Sequence, residues 1–273
     1  MTDRYAVIGN PIGHTKSPMI HGSFAQATDQ DIDYSAIESP LDGFARAVHA
    51  FRDAGGHGMN VTAPFKLQAF ALATDKLERA ELAGAANALK FEGDRILADN
   101  FDGVGLVNDI TRNLRVPMKD ARVLLLGAGG AARGALLPFL AQQPVELVVA
   151  NRTVATAKAL ADKFASHGRV IASGYGDLPG QRFDIVVNAT SASLRAELPP
   201  VPADVLKDAT LAYELVYGNG LTPFLRLARN AGVPQLADGV GMLVEQAAEA
   251  FAWWRGVHPG TRALIERMTI PLV

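Results

Sequence analysis

The stretch Val123-Leu124-Leu125-Leu126-Gly127-Ala128-Gly129-Gly130-Ala131-Ala132-Arg133-Gly134 decides how this chain folds. Its apolar opening predicts a short strand buried on both faces, as strands of parallel sheets are. The strand ends in Gly127-x-Gly129-x-x-Ala132, after which Leu136, Leu137 and Leu140 resume the apolar run at helical spacing. The reading is a strand, a tight glycine turn and a helix that starts inside the turn. Gly127 allows the turn, Gly129 admits a pyrophosphate to the backbone, and Ala132 lets helix and strand pack closely. Free N–H groups and the positive dipole end of the helix then face the phosphates. Many glycine turns are only turns. Here both flanks are right, which favours a dinucleotide site made by Gly127, Ala128, Gly129, Gly130 and Ala131.

The next strand, Glu146–Ala150, runs into Asn151-Arg152-Thr153, about twenty residues after the glycines. Enzymes that use NAD place an acid there for the ribose 2′-hydroxyl. This chain has Arg152 instead, whose planar fork suits a 2′-phosphate, with Asn151 and Thr153 as neutral partners. NADP is the expected cofactor.

At 273 residues the chain can form one large domain or two ordinary ones. With 49% hydrophobic and 20% charged residues its composition is globular. A net charge of -2 gives no footprint for nucleic acid or an anionic membrane. The absence of cysteine excludes disulfides and Cys-ligated metal, and six scattered histidines show no metal-ligand spacing, so no metal is expected. A strand beginning at Tyr5 leaves no room for a signal peptide, and no apolar run approaches a membrane span. The expectation is a cytoplasmic protein with a small-molecule substrate, as a monomer or homodimer.

Before the glycine turn, short strands alternate with helices. Strands are expected at Tyr5–Gly9, Tyr34–Glu38 and Gly58–Thr62, and a hairpin at Ala86–Phe91 and Arg95–Ala98 turned at Gly93-Asp94. Helices are expected from Ser17-Pro18, with Ser17 as N-cap, over Leu41–Ala54, from Pro64, and after Asp102. Beyond the turn the alternation continues through Val170–Ala172, Asp184–Thr190, Thr210–Val216 and Gly232–Leu236, then a long helix over Met242–Arg255. The fold class is α/β with two domains, an α/β substrate domain and a Rossmann-like NADP-binding domain with a parallel sheet. The boundaries are drawn at 1–101, 102–237 and 238–273, the last being C-terminal helices that return to the first domain. A cleft between domains is a common place for a ligand, and the active site is expected there.

Several polar residues carry both a structural and a chemical reading. Thr15 and Ser17 bracket a helix N-terminus and can cap it or bind an anion such as a carboxylate. Lys66 falls in the first turn of a helix, where the dipole disfavours a cation, and reads either as an ordinary surface lysine or as a functional one. Behind Asn60 and Thr62, it can donate a proton to an oxygen that develops negative charge. Asp102 suits an N-cap, but Gly103 and Gly105 weaken its helix and imply a close backbone approach. An acid here can pair with Lys66. Asn87 interrupts the small apolar run Ala83–Leu89, and a buried amide must find partners. Gln246 shares a helical stripe with Leu243, Ala250 and Trp254, either as a satisfied core amide or as a group aimed at ligand.

Together these blocks resemble the shikimate dehydrogenase family. The likeness runs through Gly9-Asn10-Pro11-Ile12, Thr15-Lys16-Ser17-Pro18, Asn60-Val61-Thr62-x-Pro64-Phe65-Lys66 and Ala83-Gly84-Ala85-x-Asn87. It continues in Asp99-Asn100-x-Asp102-Gly103-Val104-Gly105, the glycine turn, Asn151-Arg152-Thr153 and Asn188-Ala189-Thr190-Ser191. Tyr217-Gly218, Thr222-Pro223-Phe224 and Ala237-Asp238-Gly239-x-Gly241-Met242-Leu243 complete it. The resemblance implies reversible NADPH-dependent reduction of 3-dehydroshikimate to shikimate, in aromatic amino-acid biosynthesis. It implies Lys66 and Asp102 as the catalytic pair, and Thr15 and Ser17 at the substrate carboxylate. Asn60, Thr62, Asn87, Tyr217 and Gln246 would complete the substrate pocket, and Thr190 and Gly239 the cofactor set.

Three positions depart from the family pattern. Thr15 replaces a serine, and its methyl crowds the carboxylate site. Thr156 stands where many NADP-using members carry a second arginine, with Lys158 nearby. Phe101 replaces the threonine of an Asp-Asn-Thr-Asp motif. Facing substrate, its ring weakens specificity for shikimate; turned inward, it packs beneath the following helix. Two alternatives therefore stand beside a shikimate enzyme: a paralogue preferring quinate or a related polyhydroxy acid, and a weakly catalytic dinucleotide-binding regulator.

Overall fold

In a computed structural model that describes residues 2–218 and 220–272, the chain divides into two units. The first comprises Met1–Gly105 and Val244–Glu266, the second Leu106–Leu243 and Arg267–Val273.

The first unit runs β1 (Asp3–Gly9), α1 (Ser17–Ala27), β2 (Ile32–Glu38), α2 (Phe44–Asp53), β3 (Gly56–Val61), α3 (Lys66–Leu72), β4 (Asp75–Lys76) and α4 (Glu78–Ala83). The hairpin β5 (Ala88–Glu92) and β6 (Arg95–Asp99) follows. The six strands lie in the order β2-β1-β3-β5-β6-β4. β1 pairs parallel with β2 and β3, which requires crossovers, and α1 and α2 supply them. β3 then meets β5 antiparallel, and the hairpin closes at Gly93, whose φ of +60° suits glycine. Ala6, Ile8, Phe44, Val48, Met59, Phe65 and Leu89 form much of the core. α3 starts at Lys66, two residues after the expected Pro64, which places Lys66 at the helix's first position.

α5 (Asp102–Asn108) leads through a π-helical turn, Asp109–Asn113, into the second unit. There follow β7 (Arg122–Leu126), α6 (Gly130–Ala141), β8 (Glu146–Ala150), α7 (Val154–Lys163), β9 (Ile171–Ser173), β10 (Ile185–Asn188), β11 (Leu211–Glu214), α8 (Pro223–Asn230) and β12 (Gln235–Ala237). α9 (Val240–Arg255) and α10 (Arg262–Met268) end the chain. The sheet order is β12-β11-β10-β7-β8-β9, with every pair parallel. β7 is central, so Val123 to Leu126 lose all contact with solvent, as their unbroken apolar run requires. The strand order reverses between β7 and β10. In such sheets the crevice at that switch point receives the ligand.

The division of the chain differs in detail from the sequence-based boundaries. It falls at Gly105/Leu106 and Leu243/Val244 instead of 101/102 and 237/238. A Cβ on Gly105 would lie 2.6 Å from Gln246 N, so the first turn of α5 is pressed onto α9 and stays with the first unit. Residues 267–273 join the second unit, where Leu272 packs against the core. Among the described residues, no helix is long and apolar enough to cross a membrane.

Candidate active site

Four of the sequence-predicted residues converge in the first unit. Lys66 Nζ lies 2.6 Å from Asp102 Oδ2. Asn87 Nδ2 donates to Asp102 Oδ1 at 2.8 Å and to Gln246 Oε1 at 3.2 Å. Asn87 Oδ1 accepts from Phe101 N at 2.9 Å. The buried amide therefore has the partners its burial demands, and one of them is the carboxylate that holds the lysine. Asp102 does not use its side chain as a cap. Asn100 Oδ1 accepts from Asp102 N at 3.1 Å instead, leaving both Asp102 oxygens for Lys66 and Asn87. The close approach implied by glycine at 105 is the approach to Gln246.

A second chain of hydroxyls runs beneath α1. Ser17 is the first residue of that helix and makes no cap hydrogen bond, contrary to the capping alternative. Thr15 Oγ1 donates to Ser17 Oγ at 3.2 Å and accepts from Ser17 N at 3.3 Å. Ser17 also interacts with Tyr34, whose hydroxyl donates to Asn60 Oδ1 at 2.6 Å. Burial holds the Tyr34 phenol well above its usual range, so it remains a donor. Asn60 is buried and Thr62 half-buried at the end of β3. Tyr34 and His21 escape a reading of motifs. His21 is fully buried, stacks on Tyr34 at 4.2 Å between ring centroids, and among the described residues has no partner of hydrogen-bonding geometry on either ring nitrogen. Burial lowers its pKa to about 3, Asn60 offsetting part of the effect.

Phe101 is only 3% exposed and turns into the core. Its ring packs with Ala88, Ala250, Trp253 and Trp254, and the Arg79 guanidinium lies 5.0 Å from its centroid. Arg79 is itself paired with buried Asp99. The expectation of a ring facing substrate is thus replaced by its alternative, an inward ring. An apolar ring gains by leaving water, and the tryptophans at the end of α9 receive it.

In the second unit a cavity of about 450 Å³ opens at the switch point. It is lined by Gly127, Ala128, Gly129, Gly130, Asn151, Arg152, Thr153 and Thr190. Gly127 has φ of +101°, a left-handed conformation that favours glycine. A Cβ on Gly129 or Gly130 would meet nothing within 4 Å, so the missing side chains leave room for a phosphate against the backbone. Thr190 Oγ1 donates to Asn188 Oδ1 at 2.7 Å, fixing the loop after β10. These residues fit an NADP molecule: a glycine cradle for its diphosphate and an arginine at the end of β8. Sequence reading missed the far wall, made by Tyr175, Arg195, Glu197, Leu198, Pro199 and Pro200. The signal available was the run Leu194–Pro200, which follows the Asn188–Ser191 block after two intervening residues.

Three family models match this chain. The shikimate dehydrogenase substrate-binding domain matches residues 7–89, shikimate/quinate 5-dehydrogenase residues 109–196, and the shikimate 5'-dehydrogenase C-terminal domain residues 239–268. A shikimate dehydrogenase (NADP(+)) of Nitrosospira multiformis is 55% identical over 265 residues, covering 97% of this chain and 96% of the relative. The chain belongs to the shikimate dehydrogenase family. Among solved structures, an Ael1 enzyme from Pseudomonas putida is 66% identical with a TM-score of 0.98, and the match covers 100% of both chains. Shikimate 5-dehydrogenase from Thermus thermophilus, in complex with NADP(H) and shikimate, is 30% identical with a TM-score of 0.83, over 97% of this chain and 98% of that one.

Within this shikimate dehydrogenase fold, three sequence-predicted residues stay outside the clusters described. Tyr217 belongs to the second unit and is 43% exposed. Ala131 lies just past the residues that line the cofactor cavity. Gly239 does not line it either; a Cβ there would collide with the Leu215 carbonyl, so its smallness serves packing. Lys158 is held by Asp162 at 2.9 Å on the surface of α7 and is not part of the cavity wall.

Proposed function

We propose that this protein interconverts shikimate and 3-dehydroshikimate with NADP as the redox partner. The observation that carries the reading is the Lys66–Asp102 contact at 2.6 Å, with Asn87 bonded to the second Asp102 oxygen. A protein that only binds a dinucleotide has no use for this arrangement. Bound NADP supplies or accepts the hydride at the ring carbon. In the reducing direction Lys66 donates a proton from Nζ to the carbonyl oxygen as that oxygen gains charge; in the oxidising direction it takes the proton back. Asp102 keeps the Lys66 ammonium pointed at one place, and Asn87 keeps Asp102 from rotating. Fixing the donor beforehand lowers the entropic part of the barrier.

Thr15 and Ser17 offer hydroxyls to the substrate carboxylate. Asn60, Thr62, Asn87 and Gln246 serve the ring hydroxyls, with Tyr34 fixing which way the Asn60 amide faces through its 2.6 Å bond. Arg152 selects NADP over NAD by a charge-assisted contact with the 2′-phosphate.

The test is a nicotinamide-absorbance assay with shikimate and quinate, each with NADP+ and NAD+. The largest kcat/KM is expected for shikimate with NADP+. A larger value for quinate would move the protein to the paralogue reading, and no turnover with either acid would leave it a dinucleotide binder.

A further inference from the structure

The cofactor cavity holds a second arginine that the glycine-turn motif does not announce. Arg195 closes a 3₁₀ turn, Ala192–Arg195, and Ala196 follows with φ of +54°. That left-handed residue reverses the chain so that Arg195 and Glu197 both line the cavity. Arg195 Nη2 donates to Glu197 Oε2 at 2.9 Å, with both side chains more than half exposed. The turn is anchored from below. Ser193 donates its hydroxyl to Glu214, a fully buried carboxylate that also accepts from Asn188 Nδ2 at 2.9 Å and Thr222 Oγ1 at 3.2 Å. Arg195 is therefore an exposed side chain on an anchored turn.

Charge counting gives that side chain a task. A 2′-phosphate monoester carries nearly two negative charges at neutral pH, and Arg152 supplies one positive charge. The diphosphate already has the backbone cradle and the N-terminal end of α6. Among the described residues lining the cavity, Arg195 is the one other cation, and Glu197 the one acid. An acid in an anion-binding cavity opposes binding unless it is neutralised or turned away.

We propose that Arg195 is the second 2′-phosphate arginine of this site, and that Glu197 holds it in reserve and so limits NADP affinity. On binding, the guanidinium exchanges the Glu197 carboxylate for the phosphate. Their exposed pairing is weak enough for the exchange to cost little. The proposal rests on the assignment of NADP made above.

Calorimetric titration of the full chain with NADP+, NAD+, adenosine 2′,5′-bisphosphate and ADP tests it without relying on turnover. Arg195→Ala should weaken NADP+ and adenosine 2′,5′-bisphosphate by ~10-fold, leaving NAD+ and ADP nearly unchanged. Glu197→Gln should tighten the two 2′-phosphorylated ligands by roughly threefold. In the double variant Arg195→Ala/Glu197→Gln most of the loss should persist. Recovery of NADP+ affinity in that double variant would mean that Arg195 only neutralises Glu197, and would overturn the proposal. So would an equal loss for NAD+ and NADP+, or no loss at all. Arg152→Ala separates the two levels of the argument. If it discriminates between the cofactors and Arg195→Ala does not, only the second arginine fails; if neither discriminates, the NADP assignment itself fails.

Discussion

Lys66 and Asp102, 36 positions apart in the sequence, meet at 2.6 Å between Nζ and Oδ2. The lysine stands at the first position of α3, where the helix dipole disfavours its charge. Asp102 offsets that penalty and is itself held by Asn87 and by the Asn100 cap on its N–H. The pair is thus part of a hydrogen-bonded frame.

Asn87 carries three hydrogen bonds in the frame. Asn87→Ala would strand the Phe101 N–H and one Asp102 oxygen, costing about 1–3 kcal/mol of stability. Asn87→Asp keeps the acceptor for Phe101 N but faces Asp102 with a second carboxylate. One of two adjacent carboxyls must then retain a proton. The expected result is activity that falls as pH rises through that new titration, absent in the wild type. An unchanged pH profile in Asn87→Asp would remove Asn87 from the frame.

Phe101→Thr, which restores the family's usual residue, should make the protein worse. The ring fills space between Ala88, Ala250 and Trp253, and its truncation leaves a cavity costing ~2–4 kcal/mol. Thermal denaturation should show a lower Tm while kcat/KM for shikimate does not rise. An increase in kcat/KM at unchanged Tm would place the ring against substrate.

His21 sets a pH limit on stability. Its folded pKa is about 3 against an ordinary value of 6.5, so only the unfolded chain takes up a proton between those limits. Stability contributed by neutral His21 is complete above pH 6.5 and declines by ~1.4 kcal/mol per pH unit below it. Chemical denaturation from pH 7 to 5 should show this slope, and His21→Phe should flatten it. Parallel curves for the two proteins would contradict the burial argument.

The parts legible in the sequence are those where local chemistry and tertiary role coincide. Val123 to Leu126 read as a doubly buried strand because nothing polar interrupts them, and Gly127 and Gly129 have no other efficient use beside it. Lys66 and Asn87 stood out because each violates a local rule, a cation at a helix start and an amide in an apolar run. Ser17 was ambiguous because capping and ligand binding call for the same hydroxyl; the contact with Tyr34 comes from another strand and no spacing announces it. The direction of Phe101 depends on space left beside Trp253 at the other end of the chain. Arg195 depends on a left-handed Ala196, which sequence propensity argues against. The two-residue strand β4 carries too little pattern to be seen at all.

The most direct test of the account is single-turnover hydride transfer from shikimate to NADP+ by wild type and Lys66→Met, with NADP+ affinity measured on the same samples. The change removes the titratable amine and keeps much of the side chain's length. The account predicts hydride transfer slowed by ~10²–10⁴-fold with NADP+ affinity unaltered, because Lys66 does not line the cofactor cavity. Wild-type transfer rates in Lys66→Met would contradict it.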